Sequence, residues 1–224
     1  MQVHHYDSAR YDFEGIIAEY LGTDDLAMLT STDPGATRNA EWSLYKNMEH
    51  TPAYRRLYAA LNGTDGRVFY ETYRNFIAGV VFPIFGEAIY YQAKPTHRIL
   101  YYDTPGQARY HRDSDYGHSP AEINFSVPQT PMYGNNAIWI ESAVGKGDLR
   151  PMEAQVGQFV QFDGANLLHG ARVNDTGATR VSFDFRVVPV SAADALRRSA
   201  PEVAVNDQQA QLFKNAHQFE LYHP

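Results

Sequence analysis

The segment Tyr110-His111-Arg112-Asp113 sets an imidazole and a carboxylate two residues apart. On a strand, residues at i and i+2 point to the same side, so His111 and Asp113 can aim at one ion while Arg112 faces away. A third donor has to come from elsewhere. His169, in Leu168-His169-Gly170, follows an apolar strand and sits at an expected turn 58 residues on. Two histidines and one carboxylate on one face of an octahedral ferrous ion leave three positions open for cosubstrate and oxygen. Taken alone the His-x-Asp pair is a weak signal, because the chain has nine histidines and chance produces such a pair about as readily as ligation does. The neighbours sharpen it. Arg180 lies 11 residues after His169. Its planar fork suits the distal carboxylate of a cosubstrate such as 2-oxoglutarate, held by two parallel hydrogen bonds. Ser182, on the same strand face, could donate a third. The competing role for Arg180 is an ion pair with Asp184 or Glu141.

Other polar residues fall where a substrate could meet them. Glu122, Asn124 and Ser126 alternate on one strand face, as do Trp139 and Glu141, and such groups bind ammonium, hydroxyl or amide partners. Arg98 could meet a carboxylate or phosphate, and Asn136 joins the candidate substrate contacts. Against this, Asn124, Asn135 and Asn136 read equally well as turn or ladder residues, and Trp139 as core. His97, His118 and His217 read as surface or supporting histidines rather than ligands, and His4 and His5 as a flexible terminus.

The elements that must carry these residues divide the chain in three. Residues 1–88 read as mainly helical support: Thr51-Pro52 starts a helix through AYRRLYAAL to Asn62-Gly63, and a second runs from about Arg67 to Val81, ending near Pro83. The stretches Asp12 to Leu21 and Asp25 to Leu29 are weaker helix candidates. Residues 89–190 change to short strands, IYYQA, RILYYD, INFSV, AIWIES, QFVQF and RVSFDFRVV, separated by turn-rich loops. In the last strand Arg180, Ser182, Asp184 and Arg186 share one face and Val181, Phe183 and Phe185 the other. That polar face either meets solvent or lines a cavity, and periodicity does not choose. Residues 191–224 form a polar tail, helical from Ala192 to Arg198, with Phe213, Phe219 and Tyr222 available to pack over the strands. The whole reads as one domain of α+β class.

Composition removes several classes. With a formal charge of -7 and a pI near 5.7, the chain lacks the basic balance of a nucleic-acid-polymer binder. There is no cysteine, which excludes disulfides, iron–sulfur clusters and thiolate zinc sites. The most apolar run, Phe76 to Gly86, has 11 residues where a membrane span needs roughly 20. Met1 to Ser8 is polar and unlike a signal peptide. A cytoplasmic protein acting on a small molecule, with no membrane partner, is expected; the oligomeric state is open, with a homodimer one option.

The His-x-Asp pair, the later histidine and the Arg-x-Ser pair together resemble the Fe(II)/2-oxoglutarate-dependent oxygenases. The similarity is closer to the StrG-like group and to related free-amino-acid hydroxylases and halogenases. It is carried by YQAKPTHRI (91–99), HRDSDYGHSPAEINFSVP (111–128), NNAIWIES (135–142), GDLRP (147–151) and LHGARVNDTGATRVSFDFRVVP (168–189). The resemblance implies a double-stranded β-helix of the jelly-roll, cupin-like type. It also implies Fe(II) on His111, Asp113 and His169, 2-oxoglutarate on Arg180 and Ser182, and O2 as oxidant. Oxidative decarboxylation to succinate would accompany hydrogen abstraction from an unactivated carbon. Halogenating relatives replace the carboxylate ligand by glycine or alanine, so Asp113 implies a hydroxylase rather than a halogenase. Desaturation, cyclisation and epimerisation begin with the same abstraction. Glu122 and Glu141 on an acidic chain favour an amine-bearing metabolite, a free amino acid first and a nucleoside, nucleotide or aminoglycoside second, in a biosynthetic setting. The alternatives are a cupin-like metalloenzyme that does not use 2-oxoglutarate, and a catalytically silent jelly-roll binding protein.

Overall fold

The structure is a computed structural model and describes residues 1–31, 51–103, 109–199 and 218–224. Phe213 and His217 lie outside the described residues.

Helices precede most of the strands, and the first two begin on side-chain caps. Helix α1 (Phe13–Leu21) starts where the Asp12 side chain accepts from Gly15 N and stops at Gly22, whose left-handed φ of 64° suits glycine. Its buried residues Phe13, Ile17 and Leu21 recur every four positions, one face of a helix. Helix α2 (Pro52–Asn62) has Thr51 as its cap and proline in the first turn, as expected. Helix α3 (Gly66–Phe76) buries Phe69, Tyr73 and Phe76. The chain does not stop before Pro83. It widens into a π turn (Ile77–Val81) and continues as α4 (Phe82–Phe85) to Gly86. A widened turn supplies the slack that proline's missing N–H and ring demand, so the helix passes through.

The strands form two antiparallel sheets. We number them β1 (Gln2–His5), β2 (Ile89–Gln92), β3 (Thr96–Leu100), β4 (Ile123–Pro128), β5 (Ile138–Ile140), β6 (Arg150–Pro151), β7 (Gln158–Phe162), β8 (His169–Ala171), β9 (Arg180–Pro189) and β10 (Phe219–Tyr222). The larger sheet runs β1-β7-β4-β9-β2-β10, with β3 also on β9; the smaller runs β6-β5-β8. β9 is the hinge of the arrangement. One edge pairs with β4, and the other pairs first with β3 (Arg180 to Asp184) and then with β2 (Val187 to Pro189). Helix α5 (Val190–Ser199) follows directly.

Both termini are built into the larger sheet, which for the N-terminus is contrary to the expectation of a flexible segment. His4 and His5 lie on β1, which pairs with β7; His4 stacks on Phe159 and bonds Gln161, so apolar and polar contacts fix a segment that composition alone left loose. The tail segment β10 pairs with β2, and Tyr222 packs its ring edge against Phe82.

Alternation on β9 decides what faces what. Val181, Phe183, Phe185 and Val187 enter the main core with Phe13, Phe69, Tyr73 and Phe76, the Phe13 and Phe183 rings meeting at 4.9 Å. Helices thus cover one face of the larger sheet. The other face, carrying Arg180, Asp184 and Arg186, turns toward the smaller sheet and lines a cavity rather than open solvent.

Candidate metal centre and cavity

The cavity encloses about 350 Å³ between the two sheets. His111, Asp113 and His169 lie on its wall, and their donor atoms fall within 4.8 Å of one another. The backbone that brings them together differs from a plain strand. His111 makes an isolated antiparallel bridge to His169, each residue's N–H donating to the other's carbonyl at 2.9 Å. Asp113 opens a 3₁₀ turn (Asp113–Tyr116), its N–H held by Gly164 O at 2.9 Å. The i, i+2 geometry was the wrong origin for the pair: a bridge to the first residue of β8 and a turn tied to the segment before it aim the two side chains. Arg112 does face away, to Asn166 O and Glu141. His169 opens β8 rather than lying in a turn.

Each imidazole is anchored through Nδ1, His111 on Arg109 O at 2.8 Å and His169 on Leu167 O at 3.0 Å. Their Nε2 atoms face Asp113 Oδ1 at 3.4 and 3.6 Å. The other oxygen, Oδ2, accepts from Asn124 Nδ2 at 2.8 Å and from Arg186 Nη2 at 2.8 Å. Gly164 is required here, because a Cβ at that position would approach the Asn124 side chain to 2.8 Å and push it off the carboxylate. Burial alone would raise the Asp113 pKa. The His111 hydrogen bond and the Arg186 and His169 charges outweigh it and hold the carboxyl well below its usual range. His169 is pushed down by burial, whereas for His111 burial is overcome by the hydrogen bond it donates to Asp113 and its pKa rises. An ionised carboxylate and the Nε2 lone pairs of two imidazoles are the donors a cation needs.

Arg180 is buried on the same wall, with Nη1 at 3.9 Å from Met132 Sδ. The two carboxylates proposed as its ion partners are engaged elsewhere: Asp184 with Arg98 at 3.2 Å and Glu141 with Arg112 at 3.4 Å. Ser182 is fully buried just behind the wall, and its Oγ has no hydrogen-bond partner among the described residues.

The candidate substrate residues separate. Arg98 and Asn124 line the cavity, Asn124 with its amide turned to Asp113. Glu122 is enclosed beneath the wall, bonded to Ser119 N, His118 and Arg186. Glu141 accepts from Leu168 N and Gly147 N behind the smaller sheet. Asn136 closes a turn through Tyr133 N and Pro131 O, the turn role weighed for it from sequence. Trp139 sits on the outer face of β5, with the Arg172 guanidinium 3.4 Å from its ring centroid. Alternation along β5 puts Ile138 toward the cavity, and therefore Trp139 and Glu141 away from it.

Asp184, Arg186 and His118 line the cavity but were not proposed as site residues from sequence. Asp184 and Arg186 share the Arg180 face, so the alternation already noted would have found them. His118, four residues before Glu122, lines the cavity as well.

A curated relative joins this geometry to a family. The chain is 36% identical over 190 residues, 84% of each chain, to the streptomycin biosynthesis protein StrG of Streptomyces griseus. The chain belongs to the StrG family. The His111–Asp113–His169 donor set fits ferrous iron, in keeping with the sequence resemblance to the Fe(II)/2-oxoglutarate-dependent oxygenases. No family model matches. Among solved structures, the nickel complex of the non-heme monooxygenase ThoJ aligns at TM-score 0.47 and 14% identity, covering 84% of this chain and 72% of that one. The 2-oxoglutarate-dependent epimerase SnoN from nogalamycin biosynthesis aligns at 0.44 and 15%, covering 82% and 84%. HygX from Streptomyces hygroscopicus, with nickel and 2-oxoglutarate bound, aligns at 0.41 and 11%, covering 84% and 81%. Assignment to the StrG family rests on the StrG match and the triad, and not on these. No helix among the described residues is long and apolar enough to cross a membrane.

Proposed function

We propose that this StrG-family chain is an Fe(II)/2-oxoglutarate-dependent hydroxylase of a small polar metabolite, folded as a double-stranded β-helix. The observation that carries it is the triad: three donors of the right chemistry converge on one wall of a cavity that also holds a buried arginine. When bound, iron and 2-oxoglutarate would supply the oxidising chemistry, with succinate and carbon dioxide as coproducts.

The chain's own residues do the positioning. His111 and His169 present Nε2 because their Nδ1 atoms are fixed on backbone carbonyls, and Asp113 presents Oδ1 because Oδ2 is taken. Arg180 is the residue to hold the distal carboxylate, with Ser182 Oγ as a supporting donor. The Arg98–Asp184 pair puts one cation and one anion on the cavity wall. Those are the complements of an amino acid's two charges, which keeps a free amino acid ahead of a nucleotide or aminoglycoside. Glu122 and Glu141 do not add to this, since both are buried and bonded within the protein.

Anaerobic titration with Fe(II) and then 2-oxoglutarate, followed by succinate assays across amino acids, nucleotides and aminoglycosides, tests this reading. Stoichiometric binding of both and substrate-triggered succinate are expected, and His169→Ala should abolish iron binding. Metal binding without succinate would instead mark a cupin-like enzyme with another cosubstrate, and no metal binding a silent module.

A further inference from the structure

Three histidines line the cavity, and all three are anchored the same way. His111 and His169 are held through Nδ1 on backbone carbonyls; His118 is held through Nδ1 on the carboxylate of Glu122, at 2.8 Å. Glu122 is itself 1% exposed, and its oxygens are shared among the His118 ring, Ser119 N at 3.0 Å and Arg186 Nε at 3.3 Å. A carboxylate beneath a cavity histidine is costly unless it is fully bonded, and this one is. A carboxylate oxygen accepts, so Nδ1 donates, and the neutral ring then carries its lone pair on Nε2.

His118 Nε2 has no hydrogen-bond partner among the described residues, although the ring lines the cavity. It is also not part of the metal-binding group, since only His111, Asp113 and His169 gather donor atoms within 4.8 Å of one another among the described residues. An oriented acceptor that faces the cavity but stands outside the metal's reach is placed for the molecule that occupies the remaining space.

We propose that His118, oriented by Glu122, is the specificity-determining contact of this site and accepts a hydrogen bond from a hydroxyl or amino group of the substrate. The proposal rests on the oxygenase reading above and adds to it the functional group the substrate must carry. Arg186 joins the two halves, because the guanidinium that bonds Glu122 also bonds Asp113. The substrate contact and the metal ligand are therefore held at a fixed separation, which keeps the target carbon in register with the metal.

The test uses matched probes that differ by one donor: L-serine with L-alanine, D-glucosamine with 2-deoxy-D-glucose, and adenosine with 2′-deoxyadenosine. Each is added to the Fe(II)- and 2-oxoglutarate-loaded full chain, with probe binding followed by ligand-observed NMR under anaerobic conditions and succinate formation followed in air. The unmodified protein should favour the donor-bearing member of at least one pair. His118→Phe should weaken that probe roughly tenfold or more and erase the preference, while His118→Gln, whose amide oxygen can accept, should restore part of it. Glu122→Gln, which keeps the shape but loses the carboxylate, should give an intermediate loss. Equal binding within every pair by the unmodified protein, or a preference that survives His118→Phe, would overturn the proposal. The 2-oxoglutarate titration without probe is read separately: it should be the same for the unmodified protein and His118→Phe, which shows the variant folded, and its failure in the unmodified protein would sink the oxygenase reading instead.

Discussion

Arg186 grips Asp113 through two nitrogens that converge on a single oxygen, Nη2 at 2.8 Å and Nε at 3.2 Å from Oδ2. With Asn124 Nδ2 also on Oδ2 at 2.8 Å, that oxygen is fully used and Oδ1 alone remains for a metal. One-point ligation by the carboxylate is what keeps three positions open on an octahedral ion. Arg186→Leu should therefore weaken Fe(II) or Co(II) affinity by about 10- to 100-fold, the range seen when a ligand loses its orienting partner. Equilibrium dialysis of the anaerobic protein reads this directly. An unchanged affinity would mean that the turn at Asp113 holds the ligand without help.

Arg180 makes the second prediction. Arg180 is buried on the cavity wall, and the proposed function gives it the distal carboxylate of 2-oxoglutarate. Arg180→Ala should raise the half-saturating 2-oxoglutarate concentration roughly tenfold or more, as expected on losing a charge-assisted contact worth about 1.5 to 3 kcal/mol. Iron affinity should hold. Succinate formation against 2-oxoglutarate concentration measures the shift, and an unchanged curve would assign Arg180 a structural role.

How far these contacts were legible beforehand depends on their range along the chain. The strands from IYYQA to RVSFDFRVV were readable because alternation is local, and so was the polar face of β9. Thr51-Pro52 and Asp12 announced their helices through capping chemistry. Pro83 misled, since whether a proline ends a helix or is absorbed by a π turn depends on the packing of Ile77 and Val81 against the rest of the core. At the site, residue types and spacing pointed to the triad but could not show that His111 reaches His169 through a backbone bridge across 58 residues. Glu122 and Glu141 looked like substrate contacts because burial is not a local property; once folded, each is consumed by an arginine and backbone N–H groups.

His97 gives a prediction about stability. It is 1% exposed among Phe69, Tyr58 and Phe183, and neither ring nitrogen has a hydrogen-bond partner among the described residues. Burial first, and the Arg98 charge second, push its pKa down to about 3. The folded value lies below the unfolded one, so the unfolded chain binds the proton more readily. Stability is whole above about pH 6.5 and falls as pH drops from there toward the folded value, by up to about 1.4 kcal/mol per unit. His97→Leu removes both the unpaired nitrogens and this proton linkage. The variant should be more stable by about 1 kcal/mol at pH 7.5 and by a larger margin at pH 5. Urea unfolding at the two pH values checks it; a margin that does not grow at pH 5 would place a bonding partner on the ring.

The last prediction concerns Asp113 and the outcome of the reaction. With Oδ1 on the metal, three protein donors and two from 2-oxoglutarate leave one position, which oxygen needs, so chloride has no place to coordinate. Oxygenated or dehydrogenated products alone are therefore expected from the unmodified chain, even in high chloride. Asp113→Gly would open a position, and the surroundings of that position matter. Arg186 would remain, because Glu122 holds it from the other side at 3.3 Å, and Asn124 would keep its amide facing the gap. A guanidinium and an amide N–H around a vacated carboxylate form an anion site, so chloride should bind there more readily than an empty coordination position alone would allow. Iron affinity should fall with the loss of a charged ligand, and chloride should recover part of it in Asp113→Gly while leaving the unmodified chain unaffected. Fe(II) titration with and without chloride measures that recovery, and mass spectrometry of the turnover products reads whether any halogen is transferred. A chlorinated product from the unmodified chain would mean that Asp113 leaves the metal during turnover, and the triad would then have to be redrawn around His111 and His169.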